Sequence, residues 1–269
     1  MSHFWKMNGA GNDFVVFDNR DQSLAFSKER IAQICNRQRG VGGDGLLLVE
    51  PAQNGAAEFR MRYYNADGGE AEMCGNGARC FARFVNRLSG DQLTTTSFET
   101  IAGVIGAEFF GEEVRIELSD PFDQRGGVEL ELGDESLVVY SINTGVPHAV
   151  VFVDDLEALD IQRLGAAIRF DDYFSPAGTN ANFVESKEDG SIAIRTYERG
   201  VEGETLACGT GMVACSIFHH ERSGSPSPIR VRVAGGETLE VGFQKDEDGN
   251  YRKVTLLGPA EFTFEGTLA

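Results

Sequence analysis

The sequence predicts an α+β protein built from two pseudo-symmetric domains that arose by internal duplication. Each domain is expected to be a mostly antiparallel, curved sheet wrapped around a central helix. Three observations support this prediction: a repeat whose period is about half the chain, a predominance of short strand-like runs, and two helical stretches in each half. At 269 residues the chain is long enough for two domains of ordinary size.

The repeat is visible as short segments that recur in the same order and at a nearly constant distance along the chain. Residues 43–50 (GDGLLLVE) match residues 178–185 (GTNANFVE), and residues 74–77 (CGNG) match residues 208–211 (CGTG). Each match alone is weak, but their shared order and spacing indicate a duplicated domain. A period this long is not that of a solenoid.

Within each half, β-branched or aromatic runs separated by Gly, Asn and Asp turns predict strands. In the first half the predicted strands are 13–19, 45–50, 57–65, 94–101, 103–110 and 113–118. A polar residue that precedes an amphipathic pattern predicts the start of a helix. The predicted helices are 28–38, 76–88, 160–168 and 210–221.

The domain boundary is predicted near residue 120, because the turn-rich segment 120–135 has the composition of a linker. The predicted domains are 1–119 and 120–257. The final run, 260–268, could pair with either sheet, and we expect residues 258–269 to complete the first domain.

Composition excludes several classes of function. A formal charge of −18 and a pI near 4.6 repel phosphate backbones, so nucleic acid is not an expected partner. No apolar run approaches the ~20 residues of a membrane span, and residues 1–8 lack the pattern of a secretion signal. Five cysteines, an odd number, fit reduced thiols better than a disulfide framework. These features predict a cytoplasmic protein with no membrane partner.

The two CG[NT]G segments lie between a predicted strand and a predicted helix. Cys74 precedes Gly75-Asn76, and Cys208 precedes Gly209-Thr210. A cysteine at a helix N-terminus meets unsatisfied backbone N–H groups and the positive end of the helix dipole, which favour a thiolate. The same N–H groups can hold a carboxylate, and glycine lets the backbone approach it closely. Each turn can therefore offer both a reactive sulfur and a carboxylate site.

A pair of such turns suits the inversion of a stereocentre. Inversion requires removal of a proton from one face of a carbon and delivery of a proton to the other face. One thiolate and one thiol on opposite faces can do this, provided that both titrate near the working pH. Free cysteines are more often buried small hydrophobes, and we expect that role for Cys35, Cys80 and Cys215. The equivalence of Cys74 and Cys208 in the repeat favours function for this pair.

Other motifs carry less weight. Residues 40–45 satisfy G-x-G-x-x-G, but they follow a helix and precede a strand, the reverse of the dinucleotide-binding context. There is no C-x-x-C, and His3, His148, His219 and His220 form no ligand cluster with the cysteines, so no metal is expected. We interpret His219-His220 as a solvated helix end. None of the five lysines lies in a glycine-rich context that would suggest a pyridoxal site.

Beyond the cysteine turns, the chain contains further segments that together resemble the diaminopimelate epimerase family. The matching segments are residues 8–14 (NGAGNDF), 65–68 (NADG), 74–80 (CGNGARC), 147–148 (PH), Asn180, 198–200 (ERG) and 203–211 (GETLACGTG). The resemblance spans nearly the whole chain. It implies a cofactor-independent isomerase of lysine and peptidoglycan precursor synthesis that interconverts LL- and meso-2,6-diaminopimelate. It also implies a two-domain fold that closes over a small amino-acid substrate.

The resemblance assigns a role to each matching position. Cys74 and Cys208 would be the two acid/base residues, with His148 and Glu198 beside the reacting amino group. The remaining positions would bind substrate. The reacting carboxylate would be held at Gly75, Asn76, Gly209 and Thr210, and the distal amino-acid end at Asn12, Asn65, Asn180 and Arg199. In the repeat as we align it, His148 corresponds to Asp13 and Glu198 to Asn65.

Two departures concern the distal end of the substrate. Some members of the family carry Gln where this chain has Gly45, and many have Asn where this chain has Val146. A proline or hydroxyproline racemase-like enzyme therefore stays an alternative, as does a non-enzymatic thiol-redox protein that uses the cysteine pair as a switch. The sequence does not decide the oligomeric state, of which a homodimer is one candidate.

Overall fold

The computed structural model describes residues 2–133 and 135–268, which form two compact units. The first unit comprises Met1–Glu117 and Leu257–Ala269, and the second comprises Leu118–Leu256. In the part of the chain that is described, no helix is both long and apolar enough to cross a membrane.

In its described residues the first unit is built mainly of strands, with two helices. Its strands are β1 (His3–Gly9), β2 (Asn12–Asp18), β3 (Gly45–Pro51), β4 (Phe59–Asn65), β5 (Glu70–Ala71), β6 (Thr95–Thr100), β7 (Gly103–Phe110) and β8 (Glu113–Glu117). A further strand near the C-terminus is β18 (Glu261–Thr267). Its helices are α1 (Lys28–Cys35) and α2 (Gly75–Leu88). The helices and strands predicted from the sequence in this half are confirmed, with ends that differ by a few residues.

The two helices of the first unit pack on opposite faces of its sheet. The face toward α1 carries the alternate strand residues Val15, Phe17, Leu46 and Leu48, which are buried with Ile31 and Ile34 of the helix. The other face packs against α2, in which every residue from Asn76 to Ala82 is buried. Because successive strand residues point to opposite faces, both faces of these strands are apolar and the sheet is covered on each side.

The second unit repeats this plan. Its strands are β9 (Phe122–Leu132), β10 (Glu135–Asn143), β11 (Pro147–Phe152), β12 (Asn180–Ser186), β13 (Ile192–Glu198), β14 (Gly203–Thr205), β15 (Ile229–Arg232), β16 (Thr238–Lys245) and most of β17 (Tyr251–Pro259), whose last three residues belong to the first unit. Its helices are α3 (Ile161–Arg169), a short 3₁₀ turn (Asp172–Phe174) and α4 (Gly209–Ser223). Helix α3 packs on one face of the second sheet, as α1 does in the first unit. Helix α4 contacts strands β10 to β13 on the opposite face.

Strand pairing shows the duplication directly. In the first unit β1–β2 is antiparallel, β2–β3 parallel, β3–β4 and β4–β5 antiparallel, β4–β6 parallel and β6–β7 antiparallel. In the second unit the pairs β10–β11, β11–β12, β12–β13, β13–β14, β13–β15 and β15–β16 follow the same order of directions. The predicted fold class, α+β with two duplicated halves, is confirmed.

The strand register changes one detail of the sequence alignment. His148 pairs with Asn180 as Phe14 pairs with Gly45. The counterpart of His148 is therefore Phe14. Both side chains lie on the face of their sheet toward the cysteine-bearing helix, α2 or α4. The sequence alignment of His148 with Asp13 is wrong by one residue. A slip of one residue moves a strand side chain to the other face, which sequence matching at low similarity does not detect.

Two other expectations need correction or completion. The segment 120–135 is not a linker, because most of it forms β9, which pairs with β10 from Leu132↔Glu135 to Phe122↔Asn143. The C-terminal run forms β18, which pairs antiparallel with β1 from His3↔Thr267 to Asn8↔Glu261. Strand β1 and the β9–β10 hairpin were not predicted from the sequence.

The core of the first unit depends on aromatic packing under α2. Phe81 is fully buried and its ring centroid lies 4.7 Å from that of Phe98. Phe81→Ala should lower the free energy of unfolding by about 3–5 kcal/mol, because it removes buried apolar surface and leaves a cavity. The measurement is urea unfolding followed by fluorescence of Trp5, the single tryptophan, which packs on Phe84 of the same helix.

The matched control is Phe110→Ala in the same unit. The Phe110 side chain is 45% exposed and contacts the Arg115 guanidinium at 4.4 Å. Its loss should cost less than about 1 kcal/mol. Equal effects of the two substitutions would contradict this account of the core.

Candidate active site

The helices that follow the two cysteines begin differently from the other two helices. The side chain of Ser27 caps α1 by accepting a hydrogen bond from the Arg30 N–H, and Asp160 caps α3 in the same way. The N-cap residues of α2 and α4 are Cys74 and Cys208, and neither side chain makes such a cap bond. The N–H groups of these two first turns are thus not taken by the N-cap side chain.

The two cysteine turns have closely similar backbones. Cys74 has φ −137° and ψ 122°, and Cys208 has φ −126° and ψ 106°. Each cysteine carbonyl accepts the first helical hydrogen bond, from Ala78 N–H at 2.7 Å and from Met212 N–H at 2.9 Å. Each sulfur is therefore attached to the residue at the positive end of a helix of 14 or 15 residues.

The turn that follows Cys208 requires glycine at position 211, because neighbouring atoms lie too close for a side chain. A Cβ added to Gly211 would overlap the Asn182 carboxamide oxygen and would lie 3.3 Å from the Cys208 sulfur. In the first turn a Cβ added to Gly77 would lie 3.4 Å from the ring of Phe14. Close approach therefore requires glycine at position 211, whereas a Cβ at position 77 would make an ordinary van der Waals contact.

In the first unit a directional chain of hydrogen bonds orients two amides beside Cys74. The Arg79 Nη2 donates to Asn76 Oδ1 at 2.8 Å, and Asn76 Nδ2 donates to Asn12 Oδ1 at 2.7 Å. Asn12 Nδ2 then donates to the Asp44 carboxylate at 3.0 Å. The chain runs from a cation to an anion, so the orientation of each carboxamide is determined.

The Arg79 guanidinium at the start of this chain is fully buried. Its Nε also donates to the Pro259 carbonyl at 3.3 Å. Burial lowers the pKa of Arg79 to about 10, and the neighbouring thiols of Cys80 and Cys74 act in the opposite direction. The residue still carries its charge at neutral pH, close to the Cys74 turn, where a positive charge favours a thiolate.

In the second unit His148 links to Cys208 through a hydroxyl. The His148 Nε2 lies 2.9 Å from Thr210 Oγ1, and Thr210 Oγ1 lies 3.7 Å from the Cys208 sulfur. The Asn182 Oδ1 accepts from Thr196, so its Nδ2 is the donor to His148 Nδ1 at 3.1 Å. His148 therefore carries its proton on Nε2 and donates to Thr210, whose own hydroxyl proton can then be donated to the sulfur.

The charge state of His148 agrees with that arrangement. The side chain is 1% exposed, and burial lowers its pKa to about 3, with a further lowering from the positive charge of Arg199. The imidazole is neutral throughout the physiological range. It acts here as a hydrogen-bond donor that orients Thr210, and protonation of the ring is not part of its resting state.

Glu198 and Arg199 follow each other at the end of β13. Burial raises the pKa of Glu198 above its ordinary value, although the hydrogen bond from Thr205 Oγ1 at 2.9 Å opposes this. The Arg199 Nη1 donates to the Ala177 carbonyl at 3.1 Å. Its backbone N–H donates to Asn180 Oδ1 at 2.8 Å, and Asn180 Nδ2 donates to the Pro147 carbonyl. Asn180 thus ties the Arg199 backbone to the strand that carries His148.

The structure brings the predicted residues together in two sets, one in each unit. In the first unit Asn12 and Asn76 are hydrogen-bonded at the turn that follows Cys74, and Asn65 ends the strand beside Gly45. In the second unit Thr210 connects Cys208 to His148, and Asn180 contacts Arg199. The roles assigned to these residues by the resemblance stay predictions.

Sequence reasoning missed the residues that orient the predicted ones. These are Asp44, Tyr63, Arg79, Asn182, Thr196 and Thr205. Arg79 and Thr205 carried a sequence signal, because they lie inside the CGNGARC and GETLACGTG segments. The others are polar residues in strands or turns, where sequence alone does not show which partner they bond.

The other cysteines and histidines behave as structural groups. Cys35, Cys80 and Cys215 are buried, as expected, and burial raises the pKa of each thiol. The interpretation of His219 as solvated is wrong: it is 2% exposed and contacts Ser186 Oγ and the Gly190 carbonyl, both at 3.1 Å. Among residues 2–133 and 135–268, no group of three or more His, Cys, Asp or Glu side chains is arranged to hold a metal ion.

Solved structures share this fold. A probable proline racemase from Agrobacterium radiobacter K84 superposes with a TM-score of 0.71 at 16% identity, covering 100% of this chain and 93% of that one. A phenazine biosynthesis protein of the PhzF family from Bacillus anthracis superposes with a TM-score of 0.74 at 15% identity, covering 100% and 99%. Identities this low show the fold alone.

Sequence comparison gives the family. The family model described as diaminopimelate epimerase matches residues 4–121 and 140–263. The diaminopimelate epimerase of Aquifex aeolicus is 43% identical over 279 residues, covering 99% of this chain and 97% of that protein. That of Archaeoglobus fulgidus is 40% identical over 282 residues, covering 98% and 95%.

The fold and these matches define the chain as an isomerase of the racemase and epimerase class. More narrowly, the chain belongs to the diaminopimelate epimerase family.

The buried neutral His148 should make stability depend on pH. Its pKa is about 3 in the folded chain and 6.5 when unfolded, so between these values the unfolded state binds more protons. Stability should therefore fall as the pH drops below 6.5, by up to about 1.4 kcal/mol per pH unit from this group.

Replacement of the imidazole tests this attribution. In His148→Gln that contribution is absent, so the difference in unfolding free energy between wild type and variant should be constant above pH 7.5 and shift in favour of the variant between pH 6 and pH 4. Urea unfolding at four pH values measures it. Parallel curves for the two proteins at acid pH would show that His148 is not held neutral.

Proposed function

We propose that this chain interconverts LL- and meso-2,6-diaminopimelate, in lysine and peptidoglycan precursor synthesis, by a two-base mechanism in which Cys74 and Cys208 are the acid/base pair. The observation that carries the proposal is the twin N-cap cysteine, with the same backbone conformation and the same following glycine turn in both units. Family membership, with relatives of this name at 40–43% identity, supports the substrate.

The chemistry balances with the two cysteines alone. The thiolate of one cysteine takes the α-proton, so a C–H bond breaks and an S–H bond forms. The electron pair left on the α-carbon then takes the proton of the other thiol from the opposite face, and that sulfur becomes the thiolate. Product release leaves the two sulfurs with exchanged protonation states, ready for the reverse reaction. No metal or organic cofactor is needed in this scheme.

The helix N-termini supply the stabilisation that a carbanion next to a carboxylate requires. Charge from the α-carbon develops on the carboxylate oxygens in the transition state. We assign these oxygens to the backbone N–H groups at Gly75-Asn76 and Gly209-Thr210, which sit at the positive ends of α2 and α4. Donors aimed at the developing charge lower the barrier without reorganising during the reaction.

Neighbouring side chains give each cysteine its environment. We assign His148 to hold Thr210 as a donor to the Cys208 sulfur, and Glu198 to accept from the reacting amino group. The raised pKa of Glu198 fits a carboxyl group in a site that excludes water. On the Cys74 side the buried charge of Arg79 favours the thiolate.

The distal amino-acid end of the substrate needs a cation to pair with its carboxylate, and amide groups to form further hydrogen bonds. Arg199 offers a guanidinium whose planar fork matches a carboxylate. Asn12 and Asn65 offer carboxamides at the ends of β2 and β4, and Asn180 places Arg199. Since a cyclic substrate such as proline has no second amino-acid end, this set favours diaminopimelate over the racemase alternative. We place the activity in the cytoplasm, where reducing conditions preserve both thiols.

Replacement of either cysteine tests the acid/base assignment. Cys74→Ala and Cys208→Ala should each reduce epimerisation of LL-diaminopimelate by at least about a thousandfold, because the remaining thiol serves only one face of the α-carbon and inversion needs both. Cys80→Ala is the matched control, since it removes a buried thiol next to the first turn and should retain activity. Reduced protein without added metal or pyridoxal phosphate is assayed by chiral chromatography.

Isotope exchange gives an independent signature. In deuterated water the meso product formed at early times should carry deuterium at the inverted carbon, while recovered LL substrate should stay unlabelled. Turnover of hydroxyproline without turnover of diaminopimelate would overturn the substrate and keep the mechanism. A disulfide between the two cysteines with no isomerase activity in the reduced protein would favour the redox alternative.

The hydroxyl of Thr210 should affect the rate of catalysis through its contact with the Cys208 sulfur. Thr210→Val keeps the side-chain shape but removes the link between His148 and the sulfur, so kcat should fall about tenfold, the worth of one hydrogen bond to a charged group. Thr210→Ser restores the hydroxyl and should restore kcat to within about twofold. Equal kcat values for the Val and Ser variants would remove Thr210 from the mechanism.

A further inference from the structure

Position 45 is closed to any side chain in this structure. Gly45 begins β3 and pairs with Asn65 of β4. A Cβ added to Gly45 would lie 2.6 Å from the Tyr64 carbonyl oxygen and 2.7 Å from Cε2 of Tyr63. Both distances are shorter than van der Waals contact, so the ring of Tyr63 occupies the space that a side chain at position 45 would need.

The Tyr63 ring is held by its neighbours in the same sheet. It packs against Phe14 of β2 in a T-shaped arrangement, with ring centroids 6.1 Å apart and an interplanar angle of 76°. Phe14 in turn approaches Gly77 in the first turn of α2, where an added Cβ would lie 3.4 Å from the ring. The side chain of Tyr63 therefore belongs to the packed layer that ends at the Cys74 turn.

The hydroxyl of Tyr63 reaches the proposed substrate-binding amide. Tyr63 Oη donates to Asn65 Oδ1 at 2.7 Å, two residues along the same face of β4. This bond orients the carboxamide, although it takes only one of the two acceptor sites on the oxygen. The Nδ2 group of Asn65 is thereby turned away from the tyrosine, and as a donor it suits a carboxylate.

The second unit fills the equivalent positions differently. Strand register places Asn180 at the position of Gly45 and Thr196 at the position of Tyr63, so that each pair lies diagonally across two neighbouring strands. In the second unit Asn180 Oδ1 accepts from the Arg199 backbone, and Thr196 Oγ1 donates to Asn182 Oδ1. In each unit one member of the diagonal pair, Tyr63 or Asn180, therefore bonds to a residue that we assign to the distal end of the substrate.

We propose that Tyr63 is a positioning residue for the distal carboxylate of the substrate, acting through Asn65 and standing in for the side chain that Gly45 lacks. This inference rests on the proposed function. The rigid ring costs little conformational entropy on binding, since it is already packed against Phe14, and its hydroxyl holds Asn65 in the donor orientation before substrate arrives. The missing amide at position 45 is thereby compensated within the same sheet.

Removal of the hydroxyl alone tests the proposal. Tyr63→Phe keeps the ring and its packing, so the melting temperature should stay within a few degrees of wild type. The KM for LL-diaminopimelate should rise about five- to tenfold, with kcat within about twofold, because one hydrogen bond that supports ground-state and transition-state binding alike is lost. The matched control is Tyr64→Phe, the neighbouring tyrosine on the opposite face, which should change neither constant.

A double-mutant cycle distinguishes positioning from a structural role. Asn65→Ala should raise KM at least as much as Tyr63→Phe, and the double variant should behave like Asn65→Ala, because the proposed effect of the hydroxyl on substrate binding passes through that amide. Independent, multiplying effects of the two substitutions, or a Tyr63→Phe variant that matches Tyr64→Phe, would overturn the proposal. Failure of the wild-type protein to epimerise diaminopimelate would instead overturn the proposed function, and this inference with it.

Discussion

The site depends on the way the two central helices begin. An α-helix leaves the N–H groups of its first turn without intrahelical acceptors, and α1 and α3 satisfy part of this need with Ser27 and Asp160. At α2 and α4 the N-cap position holds a cysteine instead, followed by a glycine turn. The positive end of each helix dipole favours a thiolate at this residue, which is the state that the proposed reaction requires of one cysteine.

The two halves share a backbone but support their cysteines with different polar groups. Beside Cys74 a buried cation, Arg79, starts a chain of amides that ends on a carboxylate. Beside Cys208 a neutral imidazole, His148, orients a hydroxyl. Different side chains at equivalent positions suit the proposed reaction, in which one end of the substrate reacts and the other is only bound, since each half can be specialised without changing the strand order.

Buried polar networks of this kind also limit which substitutions the protein tolerates. Arg79 and His148 are 0% and 1% exposed, so removal of one partner leaves a desolvated group without compensation. A change at neighbouring strand positions that keeps their total volume costs less. Tyr63 packed beside Gly45, and Thr196 diagonal to Asn180, fill equivalent positions of the two units with different side chains.

The sequence by itself determined the strand and helix content, the duplication, and the position of both cysteines before a helix. These are local or periodic properties: turn residues, alternation along strands, and short segments that recur. The resemblance also supplied the candidate site residues.

What only the tertiary structure decided concerns partners that are far apart in the chain. It placed the C-terminal strand on β1, made a strand of the expected linker, and matched His148 with Phe14 instead of Asp13. It also revealed Tyr63 over Gly45 and the bond from Arg79 to Asn76. Alternation shows which face a side chain occupies relative to its neighbours, but strand register and the pairing of polar groups are set by packing across the sheet, which no single segment encodes.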